Sequence, residues 1–379
     1  MTENPSFVPP RARRVLLLNW RDSTHPEGGG SERYVENVAR KLAEDGRDVT
    51  LLCAAHNGHR GRELRDGVTY LHLGGRLTVY LRGILHVLSH RYDVIIDVQN
   101  GVPFWTRPFT TGRVIVLVHH VHREVWPLAV GALAARIGWF LESQVAPVAY
   151  RRCHYVTVSD TTRRELIDIG VDAHRISVVH NGTEAWSFPD APKAPRPRLC
   201  VVGRLVPHKQ VEDAVTALAD LPEEMAADLH IIGRGYWEPV IKEHALRLGV
   251  ADQVHFHGYV DDTTKHQLLS SSWVHLCPSL KEGWGLVCIE AGRHGVPTVA
   301  YRHAGGVVES VLDGDTGLLA QDRNEFGKAV RWLIENDDER DRLGRTAREF
   351  ARNFSWESTA KSFARVLDDV VGAPSQRSP

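Results

Sequence analysis

Short apolar runs alternate with longer amphipathic segments along most of the chain. Residues 15–18 form a continuous apolar run that is typical of a buried strand. The next segment places five apolar residues on one helical face, namely Tyr34, Val35, Val38, Ala39 and Leu42. Further apolar runs predict strands at 49–52, 68–73, 94–98, 114–118, 155–158 and 176–179. Because continuous apolar strands separated by helices are typical of a parallel sheet covered on both faces, residues 1–190 are predicted to form one doubly wound domain.

The same alternation begins again after a proline-rich segment at residues 191–197, which suits no regular element and predicts a hinge. Later apolar runs predict strands at 199–202, 229–232, 254–257, 274–276, 297–300 and 317–319. The predicted fold class is therefore α/β, with two Rossmann-like doubly wound domains, residues 1–190 and 191–354, facing a central cleft where ligands bind. A helix and a disordered tail are predicted for residues 355–379.

Composition excludes several classes of protein. The 379 residues are 42% hydrophobic and 25% charged, with a formal net charge of −1, so no nucleic acid is expected as a partner. The five cysteines are scattered without metal-ligand spacing, which favours a reducing compartment and a cytoplasmic location. Residues 1–14 carry no signal-peptide pattern. The most apolar long stretch, 126–141, falls short of the ~20 residues of a membrane span.

Two glutamates eight positions apart frame the most informative segment, residues 281–290. If a helix begins near Gly285, Glu290 lies in its second turn and Glu282 stands before its N-terminus. Unpaired N–H groups at that terminus favour a bound anion. Acidic side chains beside such an anion can bind hydroxyl groups of the same ligand, and a nucleotide-activated sugar carries both kinds of group.

A pair of cations follows the first predicted strand of the second domain. Gly203 and Arg204 come directly after residues 199–202, and Lys209 stands shortly before the next helix, which predicts a pocket for pyrophosphate. No Asp-x-Asp pair stands where a metal–diphosphate site would need it, and residues 313–315 are interpreted as a turn. We therefore expect no metal and no cofactor, with the cations and helix N–H groups stabilising the diphosphate.

The first domain offers a glycine run and a histidine group at predicted strand ends. Gly29 and Gly30 belong to a run after the first strand, where the backbone can approach a ligand closely. The run lacks the third glycine of a dinucleotide fingerprint, which disfavours a dehydrogenase. His119, His120 and His122 follow the strand at 114–118, and a histidine there can donate to a sugar hydroxyl. A zinc cluster is the other interpretation, without a Cys or carboxylate pattern to support it.

These motifs occur in order over roughly residues 14–355 and resemble those of retaining glycosyltransferases of family 4, which have the GT-B fold. The resemblance implies that Glu282 binds the hydroxyls of the donor sugar and Glu290 those of the ribose. Four residues are expected to be catalytic, namely His119 (with His120 as its alternative), Arg204, Lys209 and Glu282. The donor-binding residues implied are Gly29, Gly30, Gly203, Gly233, Val260, Gly283, Trp284, Gly285, Leu286 and Glu290. One departure is Gln210, where many relatives have glycine.

The implied activity is transfer of a hexose from a nucleoside-diphosphate sugar to an acceptor hydroxyl, with retention and without a metal, in cell-envelope glycolipid or polysaccharide synthesis. The resemblance also implies that the final helix crosses back to the first domain. Residues 77–91 and 130–152 mix arginines with apolar residues, which favours a lipid-linked acceptor and a peripheral position at an anionic membrane surface. Ordinary packing of these helices on the sheet is the alternative. A nucleotide-sugar epimerase or phosphorylase of GT-B fold and a non-catalytic nucleotide-sugar-binding protein stay open as other functions.

Overall fold

The computed structural model describes residues 12–56, 58–184 and 190–372, and its first half builds one sheet. The strands are β1 (Arg14–Leu18), β2 (Asp48–Cys53), β3 (Gly61–Arg65), β4 (Val68–His72), β5 (Val94–Gln99), β6 (Arg113–Val118), β7 (His154–Thr157) and β8 (Ile176–Val178). Their order in the sheet is β3-β4-β2-β1-β5-β6-β7-β8. The helices of this half are α1 (Gly30–Glu44), α2 (Thr78–Ser89), α3 (Trp126–Ala129), α4 (Ala132–Phe140), α5 (Ala146–Ala149) and α6 (Asp160–Asp168).

The second half builds a separate parallel sheet. Its strands are β9 (Arg198–Val202), β10 (Asp228–Ile232), β11 (Val254–Gly258), β12 (Val274–Cys277), β13 (Thr298–Tyr301) and β14 (Gly317–Ala320), in the order β11-β10-β9-β12-β13-β14. Its helices are α7 (Val211–Ala219), α8 (Glu238–Arg247), α9 (Asp262–Ser271), α10 (Leu286–Arg293), α11 (Val307–Ser310), α12 (Arg323–Glu335), α13 (Asp337–Ala351) and α14 (Trp356–Gly372). No helix in the described part of the chain combines the length and the apolarity that a membrane span requires.

The strands predicted from apolar runs are confirmed, with ends that shift by about one residue. The prediction missed β3, which pairs antiparallel with β4 at the edge of the first sheet. Its sequence, Gly-Arg-Glu-Leu-Arg, is polar, and none of its residues is fully buried. Edge strands often carry charged residues, which discourage pairing with another chain. Because these residues interrupt the apolar run, the strand gives no apolar signal in the sequence.

The first sheet buries a helix layer on each face. On one face α1 packs against α14, where the ring of Tyr34 contacts Trp356 and Phe363 at centroid distances of 6.2 and 6.4 Å. Arg47 before β2 pairs with Asp368 of α14 at 3.0 Å. The opposite face carries the residues of α2, α5 and α6 that cover the sheet. The last helix thus returns to the first domain. The tail was predicted as disordered from Gly372, which is wrong for Gly372 because it is the last residue of α14; residues 373–379 lie outside the described residues.

The chain passes between the domains at two adjacent places. Thr183 forms a bridge with Ser355, and a Cβ built on Gly182 would lie 2.2 Å from the nitrogen of Trp356. Residues 191–197 form no helix or strand, as predicted, but they are held to the second domain, where Lys193 donates to the carbonyl of Ser272 at 2.7 Å. The predicted domain boundaries themselves stay predictions.

Candidate active site

The carboxyl ends of β9 and β10 touch so closely that only glycines fit between them. A Cβ on Gly233 would lie 1.9 Å from the carbonyl oxygen of Gly203, and one on Gly235 would lie 2.0 Å from that of Leu205. Gly233 also has a φ of +131°, which disfavours other residues. This contact fixes the loop that carries Arg204 and Lys209 at the edge of the second sheet.

Lys209 and Glu282, predicted as separate motifs, are in direct contact. The Lys209 ammonium donates to Oε1 of Glu282, and the Ser279 hydroxyl donates to the same oxygen at 2.7 Å. Gln210, which follows the lysine, is left-handed with a φ of 45°, the conformation that glycine adopts most readily. The glutamine therefore keeps the entry into α7 that glycine provides in relatives, at some cost in strain.

The environment of Glu282 keeps it ionised. Burial alone raises the pKa of Glu282, but the charge of Lys209 and the hydrogen bonds from Lys209 and Ser279 outweigh burial and lower the pKa below its usual value. An ionised carboxylate with a fixed position is a strong acceptor for ligand hydroxyl groups. Glu282 thus has the chemical form that binding a sugar requires.

Glu290 lies in the second turn of α10, as predicted, and has its own cation. The Lys265 ammonium of α9 donates to Oε1 of Glu290 at 2.8 Å and lies 3.1 Å from Asp262. Burial raises the pKa of Glu290, but Lys265 more than offsets this and the net shift is downward. Arg33 of the first domain reaches Asp262 at 3.0 Å, so this second carboxylate lies close to the junction of the two domains.

Arg204 lies at the domain junction against the glycine run of the first domain. A Cβ built on Gly29 would be 3.6 Å from its Nε atom. Burial and then the charge of Arg21 lower the pKa of Arg204, while Glu32 opposes them; a guanidinium stays charged nonetheless. Glu32 is fully buried, and it accepts from Arg21 at 2.7 Å and from the Gly29 N–H at 2.7 Å. This buried carboxylate therefore holds the glycine run beside Arg204.

The N-termini of α1 and α10 face each other across the cleft. A Cβ on Gly30 would contact Leu286 Cδ2 at 3.5 Å, and one on Gly283 would lie 2.4 Å from the carbonyl oxygen of His119. Gly285, the cap of α10, has a φ of 87°. The first turns of α1 and α10 are thus in contact near Arg204, and the first N–H groups of each helix have no intrahelical partner.

The side chains of His119 and of its alternative, His120, lie in different surroundings. The His119 ring is buried edge-on against Tyr34 at 5.3 Å, and burial lowers its pKa to about 4. His120 is half-buried, and its ring lies 4.2 Å from that of His122. Burial and the neighbouring charges of His122 and His208 lower the pKa of His120. His120 is thus the histidine whose ring approaches the second domain, while His119 approaches it through its backbone.

Two of the predicted donor-binding residues use their side chains for packing. Trp284 is buried between His180 and Phe354, at centroid distances of 5.6 and 4.7 Å, within the core of the first domain. Val260 packs partly against the small cluster that contains Leu269. The side chain of Trp284 is thus occupied by packing, and the role implied for the N–H groups of this segment stays a prediction.

Several residues of the site escaped the sequence analysis. Lys281 of the second domain pairs with Glu165 of the first, and Glu309 accepts from the N–H groups of Asp160 and Thr161 at 2.8 and 2.7 Å. Lys281 and Glu309 lie more than 100 positions from these partners and follow no spacing rule. They hold the two domains in contact along the cleft, while Ser279 and Lys265, which were also missed, bind Glu282 and Glu290 within the second domain.

Two adjoining family models match the chain. The model described as Glycosyltransferase Family 4 matches residues 28–185, and the model described as Glycosyl transferases group 1 matches residues 183–350. The chain belongs to this family of glycosyltransferases. The glycosyltransferase is 29% identical to D-inositol 3-phosphate glycosyltransferase 2 of Catenulispora acidiphila, and the match covers 95% of each chain.

Solved structures share the fold of this glycosyltransferase. Sucrose-phosphate synthase from Thermosynechococcus elongatus has a TM-score of 0.81 at 18% identity, covering 95% of this chain and 99% of that chain. WaaG has a TM-score of 0.75 at 18% identity, covering 95% and 100%. Anabaena HepE has a TM-score of 0.74 at 17% identity, covering 94% and 99%. The predicted GT-B arrangement of two Rossmann-like domains is confirmed.

Proposed function

We propose that this glycosyltransferase moves a hexose from a nucleoside-diphosphate sugar to an acceptor hydroxyl with retention at the anomeric carbon. The observation that carries the proposal is the cluster of Lys209, Glu282 and Ser279 beside Arg204 and the N-terminus of α10. Cations, helix amides and an ionised carboxylate in one cluster support the binding of a single ligand that carries both phosphate and hydroxyl groups. A diphosphate linked to a sugar has the matching groups.

The chemistry follows from where charge develops. As the bond between C1 and the phosphate oxygen breaks, negative charge grows on the leaving diphosphate and positive charge on the sugar ring. Arg204, Lys209 and the α10 amides stabilise the leaving group more in the transition state than in the ground state. Glu282 holds the sugar hydroxyls and orients the ring. The acceptor oxygen bonds to C1 from the same face, and its proton passes to a phosphate oxygen of the leaving diphosphate.

The cations also support a reaction without a metal. In enzymes that use a divalent ion for this kind of transfer, the ion neutralises the diphosphate. Arg204 and Lys209 together offer the same positive charge in fixed positions. We accordingly propose that the transfer step needs no metal and no cofactor.

The nature of the donor has support from a structural neighbour. HepE has been crystallised with UDP-glucose, and its structure matches this chain with a TM-score of 0.74. Arg204, Lys209 and Glu282 suit phosphate and hydroxyl groups, which are common to donors with different bases. We propose a nucleoside-diphosphate hexose, with UDP-glucose as the first compound to test.

An anionic acceptor is supported by the first domain. A cavity of about 580 Å³ opens at the carboxyl ends of β2 and β4, and Arg60 and Arg82 line it beside His72. Guanidinium groups match phosphate and carboxylate geometry. The name of one relative, D-inositol 3-phosphate glycosyltransferase 2, includes a phosphorylated polyol. We propose that the acceptor is a sugar or lipid-linked sugar that bears a phosphate.

The function is tested by incubating the protein with UDP- or GDP-hexoses and with a polyol phosphate or its dephosphorylated form. The expected result is an α-linked product from an α-linked donor, read by NMR, with the phosphorylated acceptor preferred and no stimulation by Mg²⁺ or Mn²⁺. Donor binding is read independently by thermal shift, since a ligand at 100 times its Kd adds about 2.7 kcal/mol. Binding without transfer or hydrolysis would favour a non-catalytic nucleotide-sugar-binding protein, and epimerised donor would favour an epimerase.

A peripheral position at an anionic membrane, with a role in the cell envelope, is part of the proposal. Leucines 77, 81, 85 and 88 form one stripe on or beside α2, with exposed fractions of 81, 58, 48 and 60%. Residues 133, 137 and 140 of α4 are exposed by 73, 53 and 57%. Both helices lie on the same side of the first sheet, opposite α14. Nearby arginines such as Arg82 and Arg136 suit anionic lipid, and WaaG acts in lipopolysaccharide biosynthesis.

Replacing Leu81 and Leu85 by aspartate is expected to abolish binding to vesicles, because the apolar stripe is lost and the new charges are repelled by anionic lipid. The measurement is co-sedimentation with vesicles that contain anionic lipid, compared with neutral vesicles. Leu64→Asp is the matched control, since Leu64 is 73% exposed on the edge strand β3, away from the stripe. Equal sedimentation of wild type with both kinds of vesicle would contradict the proposal.

A further inference from the structure

We infer that the first domain holds a binding site for a divalent transition-metal ion, built by Asp22, His56 and His72 with His59 and Glu63 at its rim. The site lies wholly in the first domain and is independent of Arg204, Lys209 and Glu282 in the second. It goes beyond the transfer reaction, which is proposed to need no metal.

Two imidazoles flank one buried carboxylate and with it make three potential ligands. Nε2 of His56 lies 3.1 Å from Oδ1 of Asp22, and Nε2 of His72 lies 3.1 Å from Oδ2. The side chains of Asp22, His56 and His72 are 0, 7 and 1% exposed. One potential ligand atom from each residue lies within 4.8 Å of the others. Ligand atoms bound to one Zn²⁺ at about 2.0–2.2 Å stand at such distances from one another.

A second group of ligands shares His72. His59, Glu63 and His72 also offer atoms within 4.8 Å of one another. The ring of His59 lies 4.8 Å from that of His56 and 5.4 Å from that of His72, and its Nδ1 is 3.3 Å from Glu63. His59 and Glu63 thus form a second group of potential ligands, which meets the first group at His72.

Hydrogen bonds within the protein leave two imidazole nitrogens of this cluster without a partner. Among the described residues, Nδ1 of His56 and Nδ1 of His72 are buried without a hydrogen-bond partner. Buried polar atoms in native proteins nearly always have a partner, and the exceptions point to an ordered water or an ion. Each of these two imidazoles therefore has one nitrogen that faces Asp22 and a second nitrogen without a partner, so the hydrogen bonds of the protein leave ligand capacity in the cluster.

The charge of the surroundings favours a cation. Asp22, Glu63 and Glu36 contribute carboxylates, and Arg65 is the cation in contact with them, at 3.5 Å from Asp22 and 3.1 Å from Glu36. With neutral imidazoles the direct contacts leave an excess of negative charge, which a divalent ion balances. Imidazole nitrogen with carboxylate oxygen suits Zn²⁺, whereas Mg²⁺ and Ca²⁺ prefer oxygen ligands alone.

The position of the site suggests what the ion does. Asp22 follows β1, His56 and His59 follow β2, and His72 ends β4, so one ion joins three neighbouring strands at their carboxyl ends. His72 also lines the cavity with Arg60 and Arg82. The ion would therefore fix the wall of that cavity and raise the stability of the first domain.

The test uses the full-length protein, stripped with a chelator, dialysed and titrated with Zn²⁺ alone. The expected result is one Zn²⁺ per chain by calorimetry and elemental analysis, a higher Tm, and the visible absorption of tetrahedral Co²⁺ when cobalt replaces zinc. Asp22→Asn and His72→Gln are each expected to weaken binding by more than about 100-fold, since loss of even an outer partner of a ligand costs ~10–100-fold.

His90→Asn is the matched control. His90 stacks on His86 at 4.1 Å on the surface of the same domain, so this variant is expected to bind Zn²⁺ like wild type. A wild type that binds no Zn²⁺, or Asp22→Asn and His72→Gln proteins that bind it unchanged, would overturn the inference. If both variants fail to fold by circular dichroism, His56→Gln decides, because Nε2 of His56 lies 3.1 Å from Asp22; weaker binding then supports the site and unchanged binding refutes it.

Discussion

Replacing Lys209 by alanine is expected to lower kcat about 100-fold, which corresponds to the ~3 kcal/mol that one preorganised partner of the transition-state charge contributes. The effect has two sources. The leaving diphosphate loses a cation, and Glu282 loses the ammonium that keeps its pKa low and its carboxylate in place. Steady-state kinetics with the donor of highest activity provide the measurement.

The contact between Lys209 and Glu282 adds a second expectation. Because the two side chains share a hydrogen bond, the Lys209→Ala/Glu282→Ala double variant is expected to lose less activity than the product of the single losses. Lys242→Ala is the control, since Lys242 pairs with Glu238 on the exposed surface of α8. Wild-type kcat in Lys209→Ala would remove this residue from the reaction, and strictly multiplicative losses would refute the coupling.

Gly283→Ala is expected to prevent the closed arrangement of the domains while leaving each domain folded. The added methyl group would lie 2.4 Å from the carbonyl oxygen of His119, so the Glu282 segment must withdraw from the first domain. A misplacement of about 1 Å at reacting groups costs ~100-fold in rate, and we expect a loss of that size in kcat. The Tm is expected to fall as well, because the neighbouring Trp284 is buried in the core of the first domain and moves with the segment.

The measurement for Gly283→Ala combines kinetics with small-angle scattering in the presence of donor. The expected scattering shows a larger radius of gyration than wild type. Gly131→Ala is the matched control, because a Cβ on Gly131 meets nothing within 4 Å. Full activity of Gly283→Ala would show that this contact is not part of the active arrangement.

The fold was predictable because both domains repeat one pattern. Each parallel strand appears in the sequence as an apolar run between amphipathic helices, because a strand that is buried on both faces needs apolar residues at consecutive positions. The edge strand β3 escaped detection because its residues are exposed or half-buried and form no apolar run. Residues 191–197 have the composition of a hinge, yet their hydrogen bonds to the second domain are tertiary contacts that composition does not contain.

The candidate site was predictable where its residues follow strands. Lys209 and Glu282 come after β9 and β12, and parallel strands bring their carboxyl ends to one edge of a sheet. The orientation of side chains was beyond the sequence, since His119 turns its ring inward to Tyr34 and Trp284 turns into the core of the first domain. No metal was predicted because Asp22 and His72 reach each other only through the fold.

The return of α14 to the first domain has a consequence for synthesis of the chain. Phe363 and Leu367 belong to the same apolar cluster as Tyr34 of α1, so the amino-terminal half is left with an uncovered face while the ribosome completes the rest. Domains in general fold as units during translation, the first one first. Here the order is partly reversed, because the first domain closes its core only after α14 has been synthesised.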